Sequence, residues 1–248
     1  MPRIVTYNVH RCVGQDRRLD VERIAAVLGD LDADVVCLQE LDVGRARTEH
    51  ADQAGDIARL LGMAHHFHPA MRVEQELYGD AILTWRPERL MRAAALPTID
   101  GLPGIEPRGA LWAAIDFDGV EVQVLNTHFG LVPREQRLQA AALCGREWLG
   151  HPDCRGPTLL VGDFNATSMT RPYQRIRREL IDAQRPHGGL NGRTVKTFPS
   201  AFPAIRIDHC FHTPDIRVTQ VFAPFSPLAR MASDHLPLVV DFEITGAA

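Results

Sequence analysis

Eight short apolar runs, most of them rich in β-branched residues, recur along the chain: Ile4 to Val9, Asp34 to Leu38, Ala81 to Trp85, Leu111 to Phe117, Val120 to Leu125, Thr158 to Val161, Ile205 to Phe211 and Leu236 to Ile244. They read as strands. Asp118-Gly119 joins two of them, the strongest short signal for a hairpin, so at least part of the sheet is antiparallel and a wholly parallel doubly wound fold is disfavoured. Between the strands lie helical patterns over Asp20 to Leu31, Asp52 to Leu61, Pro133 to Leu149 and Arg171 to Asp182. The first carries Val21, Ile24, Val27, Leu28 and Leu31 on one stripe. Two groups of strands, each interrupted by helices, predict two sheets packed face to face with helices outside, a layered α/β sandwich.

The chain has 248 residues, 45% of them hydrophobic, with no long polar or low-complexity stretch. One globular domain over residues 1–248 is the expectation. A net charge of −4 gives no general attraction to a polyanion, although carboxylates that hold a metal count against that total before the ion binds. The five cysteines, Cys12, Cys37, Cys144, Cys154 and Cys210, are scattered without a Cys-x-x-Cys pair, so neither a disulfide framework nor a zinc knuckle is indicated. No stretch approaches the roughly 20 apolar residues that a membrane span needs, and the start lacks the apolar core of a signal peptide. A cytoplasmic protein is expected.

Several apolar runs end in polar residues that have no packing reason to be there. Asn8 follows Ile4 to Tyr7, Gln39-Glu40 follows Val35 to Leu38, His128 follows Val122 to Thr127, and Asp163 and Asn165 follow Leu159 to Gly162. Near the end of the chain the order reverses, with Asp234-His235 just before a strand, and Asp208-His209 lies within another run. Taken singly, each is an ordinary turn or strand-end residue. If the rims coincide, Asn8, Glu40, His128, Asp163, Asn165, Asp208, Asp234 and His235 form one cluster, whose carboxylates would not all stay ionised without compensation. A hard cation with oxygen ligands resolves the repulsion, and this composition suits magnesium better than zinc.

Seven segments in order, Thr6-Tyr7-Asn8, Leu38-Gln39-Glu40, Tyr78-Gly79-Asp80-Ala81-Ile82-Leu83, Asn126-Thr127-His128, Gly162-Asp163-Phe164-Asn165-Ala166, Arg206-Ile207-Asp208-His209 and Ser233-Asp234-His235-Leu236-Pro237, resemble the endonuclease/exonuclease/phosphatase superfamily, and its small bacterial hydrolases in particular. The likeness covers nearly the whole chain. It implies a DNase I-like fold, a four-layered α/β sandwich of two packed mixed β-sheets flanked by helices. It further implies a metal-dependent phosphoesterase, chiefly a phosphodiesterase, using magnesium with manganese as a substitute. By the same resemblance Glu40 chiefly holds the ion, Asn8 stands beside it, and Asp234 contributes directly or through water. Asp163 would orient or deprotonate the attacking water, and Asn165 would donate its amide hydrogens to the phosphate. His235, paired with Asp208, would be a general base or a charged donor to phosphate, with the nearby carboxylate favouring the donor. His128 would be a general acid or a phosphate donor. Tyr78 is a candidate phosphate contact, and Asp80 stands where many relatives carry Asn or Asp. Arg108 offers a planar fork to phosphate, or is an ordinary surface arginine at a strand entrance.

His65, His66 and His68 lack a carboxylate or cysteine at ligand spacing and are read as non-ligands. His209 should point to the face opposite Asp208. Arg171, Arg175, Arg177, Arg178, Arg185, Arg193 and Lys196 make one stretch locally basic, most simply a solvated face. The substrate stays open among a small molecule, a lipid head group and nucleic acid. A nuclease is the alternative function; a non-catalytic binding module and a zinc hydrolase are weaker ones. No protein partner is indicated.

Overall fold

A computed structural model describes residues 1–99, 104–184 and 194–245. The first sheet contains β1 (Arg3–Asn8), β2 (Val35–Val43), β3 (Ala64–Val73), β4 (Glu76–Thr84), β11 (Ile216–Phe222) and β12 (Leu238–Ile244), and the second contains β5 (Glu88–Ala95), β6 (Gly109–Phe117), β7 (Val120–His128), β8 (Thr158–Asp163), β9 (Ile181–Asp182) and β10 (Asp208–His212). Their orders are β11-β12-β1-β2-β4-β3 and β5-β6-β7-β8-β10-β9. Each sheet holds one parallel pair near its centre, β1 with β2 and β7 with β8, and every other pairing is antiparallel.

The continuous apolar runs follow from burial on both faces of each sheet. Successive side chains alternate in direction: Ile4, Val35, Cys37, Val122, Val124, Leu159 and Val161 meet between the sheets. Their neighbours Val5, Val36 and Leu38 meet α1 (Val21–Gly29), α2 (Gln53–Leu61) and α5 (Pro227–Ala232) on one outer face. Leu125 and Leu160 meet α3 (Pro133–Leu143) and α4 (Arg171–Ile176) on the other. Helix, sheet, sheet and helix are the four layers expected. Asp20 and Asp52 cap α1 and α2 by accepting from Arg23 N and Gly55 N, and Pro133 opens α3 as anticipated.

Several boundaries differ from the sequence expectation. The helix expected over Pro133 to Leu149 stops at Leu143, with the Gly145 amide turned back onto Ala142 O. The one expected over Arg171 to Asp182 ends at Ile176, and Ile181–Asp182 pairs with β10 instead. The run expected from Ile205 joins the sheet only at Asp208. Strands β3, β5 and β11 were not expected: β3 and β5 are edge strands, exposed along much of their length, and so lack the apolar density of the central ones. His65, His66 and His68 lie on β3, where His66 pairs with Glu88. Within the basic stretch, Arg185 and Arg193 lie outside the described residues. Among the described residues no helix is long and apolar enough to cross a membrane.

Two glycines are favoured for different reasons, Gly119 by its backbone angle and Gly162 by lack of room for a side chain. Asp118 and Gly119 have φ of 57° and 94°, the left-handed pair that a two-residue hairpin turn between β6 and β7 requires. Gly162 has φ of 146°, and a Cβ there would sit 1.9 Å from the Thr127 carbonyl oxygen, whereas one on Gly119 would meet open space. Gly162→Ala is therefore expected to destabilise by on the order of 3 kcal/mol or more, and Gly119→Ala by about 1 kcal/mol. Urea midpoints rank the two; equal losses would mean that β7 and β8 part at little cost.

Candidate active site

The inner faces of the central strands change character in step. Along β1 the residues turned between the sheets are Ile4, Thr6 and Asn8; along β2, Val35, Cys37 and Gln39; along β7, Val122, Val124, Asn126 and His128; along β8, Leu159, Val161 and Asp163. Each series runs from apolar to polar toward one end. Register brings those ends together: Asn8 stands opposite Gln39, His128 opposite Asp163, and Asp163 opposite Asp208 at the start of β10.

Glu40 reaches this end through a break in the ladder. Pairing of β2 with β4 shifts between Leu38 and Leu41, and Glu40 takes a φ of 62° in the bulge. At the last pair before the break, Leu38 O and Ala81 O each accept from Asn126 Nδ2 at 2.9 Å, a side chain of the other sheet. Gln39 Nε2 in turn donates to Asn126 Oδ1 at 2.7 Å and to Thr6 Oγ1 at 3.0 Å. Asp80 is buried against the Glu40 amide, and burial pushes its carboxyl up to about 8 in spite of Arg108.

Asn8 Nδ2 donates to Glu40 Oε1 and to Asp163 Oδ2, both at 3.0 Å, while its Oδ1 accepts from His10 N. The Asn8 oxygen is engaged, and its nitrogen clamps two carboxylates that would otherwise repel. His235 Nδ1 bonds Asp208 Oδ2 at 2.8 Å, and the other ring nitrogen lies 3.7 Å from Asp163 Oδ2. Thr197 Oγ1 donates to the same Asp208 oxygen, and Phe198 packs against the His235 ring at 4.9 Å between centroids. His209, on the other face of β10, bonds Ala166 O and packs among Phe164, Tyr173 and Phe211.

An open cleft of about 440 Å³ is lined by Glu40, Tyr78, Arg108, His128, Asp163, Asn165, Asp234 and His235, together with His10, Arg11, Arg47 and Phe198. Arg108 is only 6% exposed, so the surface-arginine alternative is set aside. It pairs with Glu106 at 3.0 Å and directs Nη1 at His128 Nδ1, 3.1 Å away. Tyr78 is also buried; its hydroxyl is 3.5 Å from Arg108 Nη1 and its ring lies beneath Arg47.

Burial opposes the charge of His235, but Asp208 and then Asp163 outweigh it and push the imidazole up to about 10. The ring is an imidazolium at neutral pH. Burial, with the charge of Asp208, pushes Asp163 up to about 7 against the pull of His235. His128 goes the other way: burial, then Arg108 and His235, hold it well below the ordinary histidine range. It is neutral and has one lone pair to offer. Yet Arg108 Nη1 faces Nδ1, and Asn165 Nδ2, which also donates to Phe129 O, faces Nε2 at 3.1 Å. Two donors compete for one acceptor, so the cleft floor carries more N–H groups than the protein satisfies.

Asp163, Asp208 and His235 bring ligand atoms within 4.8 Å of one another. Asp208 and His235 are spent on each other, however, and a cationic ring repels a metal ion. The carboxylates of Glu40 and Asp234 at the cleft are the better oxygen donors for a hard cation. Glu40 engages Asn8 through Oε1 only, and Asp234 is part-exposed, 4.0 Å from His10 Nδ1.

The model of the endonuclease/exonuclease/phosphatase family matches residues 5–235. The chain belongs to this family. It is 24% identical to the uncharacterised protein YbhP of Escherichia coli over 257 residues, 98% of this chain and 96% of that one. A crystal structure of an endonuclease/exonuclease/phosphatase from Beutenbergia cavernae is 25% identical with a TM-score of 0.79, covering 99% of this chain and 72% of that one. The fold is shared with a mannosyl-6-phosphatase of Bacteroides thetaiotaomicron, at 19% identity and a TM-score of 0.76 over 98% of this chain and 100% of the other. The human Nocturnin catalytic domain with bound sulfate is alike at 19% identity and a TM-score of 0.71, over 98% and 93% of the two chains.

Sequence reasoning gave Gln39 and Asn126 no role. The signal was available: each is an amide at the inward position of an apolar strand, Gln39 at the end of its series and Asn126 two residues before His128. The His235 couple yields a direct expectation for metal-free protein. Its contribution to stability is full below the unfolded pKa of about 6.5 and is lost as pH rises through about 10. Ring nitrogen shifts at about pH 8 should report imidazolium for His235 and a neutral ring for His128, and Asp208→Asn should lower the His235 pKa. A pKa indifferent to Asp208→Asn would break the attribution.

Proposed function

We propose that this chain is a metal-dependent phosphodiesterase that hydrolyses its ester by attack of water. The observation that carries the reading is the surplus of donors at the cleft floor. Arg108, Asn165 and the His235 imidazolium converge on a space where His128 can accept only once, so an oxyanion is the ligand that satisfies them. Glu40 and Asp234 would hold a divalent cation, magnesium on their hardness, with manganese as a substitute. Such an ion supplies neutralisation of charge on the phosphoryl oxygens.

The remaining roles follow from the chain's own groups. Asp163, with Oδ2 fixed by Asn8 and its carboxyl raised to about 7, suits the group that orients the nucleophilic water and takes its proton, since a base works best when its pKa lies near the working pH. His235, fully charged, is the donor to a phosphate oxygen and a poor base. His128, held neutral, donates a hydrogen bond rather than acting as a general acid. Asn165 presents its amide to the same phosphate. Asn8 and Asp208 position Asp163 and His235, and Tyr78 supports Arg108.

Two of the three cleft arginines are already matched, Arg47 with Asp42 and Arg108 with Glu106. A net charge of −4 adds no steering. Both points favour a small diester over a long nucleic acid. The phosphatase named among the fold relatives keeps a monoester in the test.

Turnover of bis-p-nitrophenyl phosphate, p-nitrophenyl phosphate, DNA, RNA and head-group diesters should be measured in magnesium, manganese and EDTA. Metal-dependent cleavage of a small diester is expected, with Asp163→Ala and His235→Ala each lowering kcat/KM by about 10²- to 10⁴-fold. Glu40→Ala should raise the magnesium concentration for half-maximal rate steeply. No turnover of anything by the wild type, or full activity of Asp163→Ala, sinks the assignment.

A further inference from the structure

The turn that follows β1 is held in a conformation that its residues do not favour. His10, Arg11 and Cys12 have φ of 45°, 56° and 57°, three left-handed residues in succession with no glycine among them. Each costs about 1–2 kcal/mol, and the surroundings enforce all three. Asn8 Oδ1 accepts from His10 N, Gln53 Nε2 donates to Arg11 O at 2.6 Å, and Asp20 N donates to Cys12 O. Backbone strain that the surroundings over-determine, placed at the edge of a cleft, points to a side chain that must be presented there.

That side chain is Arg11. Of the three arginines lining the cleft it is the one with no carboxylate within 4.0 Å among the described residues. Its Nη2 is steadied by donating to His10 Nε2 at 2.8 Å. Among the described residues Nε is buried without a partner and Nη1 makes no hydrogen bond. An uncompensated guanidinium with Nη1 free at the cleft, and a second Nη2 hydrogen beside it, is suited to receive an oxyanion at its Nη edge. No carboxylate among the described residues supplies one within 4.0 Å, although Glu40, Asp163 and Asp234 line the same cleft.

We infer that Arg11 forms a second anion subsite, so that the preferred substrate is a small phosphodiester carrying a further phosphate or carboxylate on one of its alcohol groups. The inference rests on the phosphodiesterase reading, in which the donors over Asp163 take the scissile phosphate. The strained turn then serves to hold the Arg11 fork ready before the ligand arrives, so that little ordering is required on binding.

Binding to the magnesium-loaded protein tests it by calorimetry, with methylphosphonate as the single-anion reference. Alkane bisphosphonates and ω-phosphonocarboxylates of increasing chain length probe the second site and distinguish phosphate from carboxylate. At least one two-headed probe is expected to bind about tenfold or more tighter than methylphosphonate. In Arg11→Gln that ratio should collapse toward one, and Arg11→Lys should restore part of it, with thermal melts confirming that both variants fold. If methylphosphonate binds but no second anion improves it, or if the gain survives in Arg11→Gln, the subsite is refuted and the phosphodiesterase reading stands. Absence of methylphosphonate binding together with absence of diester turnover removes both.

Discussion

A buried amide must find partners, and where the inter-sheet core gives way to the cleft the two that find each other, Gln39 and Asn126, come from different sheets. Everything polar in the cleft is built outward from that bond. Asn126 accepts from Gln39 and spends its own hydrogens on Leu38 O and Ala81 O, the carbonyls of the last pair before the bulge in β2. An orphaned carbonyl in that position would cost about 1–3 kcal/mol, so the bulge and the partner sheet are bound to one another. The bulge in turn carries Glu40 into the cleft. A shift of one sheet by a single residue would face Asn126 with the wrong side of β2 and leave Glu40 in the ladder.

The electrostatics sort the titratable groups by their neighbours rather than by type. His128 and His235 share a cleft and are both buried, yet burial, reinforced by Arg108, keeps the first neutral, while Asp208 and Asp163 outweigh burial and keep the second charged. Asn8 does similar work without charge, placing one amide nitrogen between Glu40 and Asp163. The outcome is a floor with both a raised carboxyl and a fixed cation on either side of the same few ångströms. Transfer of a phosphoryl group needs little more than such positioning and charge.

Much of this was legible in the chain. The strand ends at Asn8, Glu40, His128, Asp163 and Asn165 stand out because polar residues there interrupt apolar runs, and all of them do line or adjoin one cleft. The layered arrangement could be read from strands that are apolar on both faces. Edge strands β3 and β5 could not, since one exposed face dilutes their pattern to resemble loop. Nor could the fate of Asn8, Arg108 or Arg11: residue type says that each can bond a phosphate or hold an ion, but which of their atoms is already taken depends on His10 N, Glu106 and the handedness of a turn. Those are relations between neighbours in space, and spacing along the chain does not encode them locally.

The hydrogen bond from Asn8 to Asp163 joins residues 155 positions apart, and it links the parallel pair of one sheet to the parallel pair of the other. A chain that has completed β1 and β2 still lacks the whole opposing half. Contacts of such sequence separation form late, because the loop they close must first be ordered. The first sheet itself waits on the end of the chain, because β12 pairs with β1 through Arg3 and Asp241, so the cleft is complete only when both ends and the middle of the chain have met. During refolding, sheet content should rise before any affinity for the ligand, and the ligand, recognising only the joined state, should slow unfolding without hastening the early collapse.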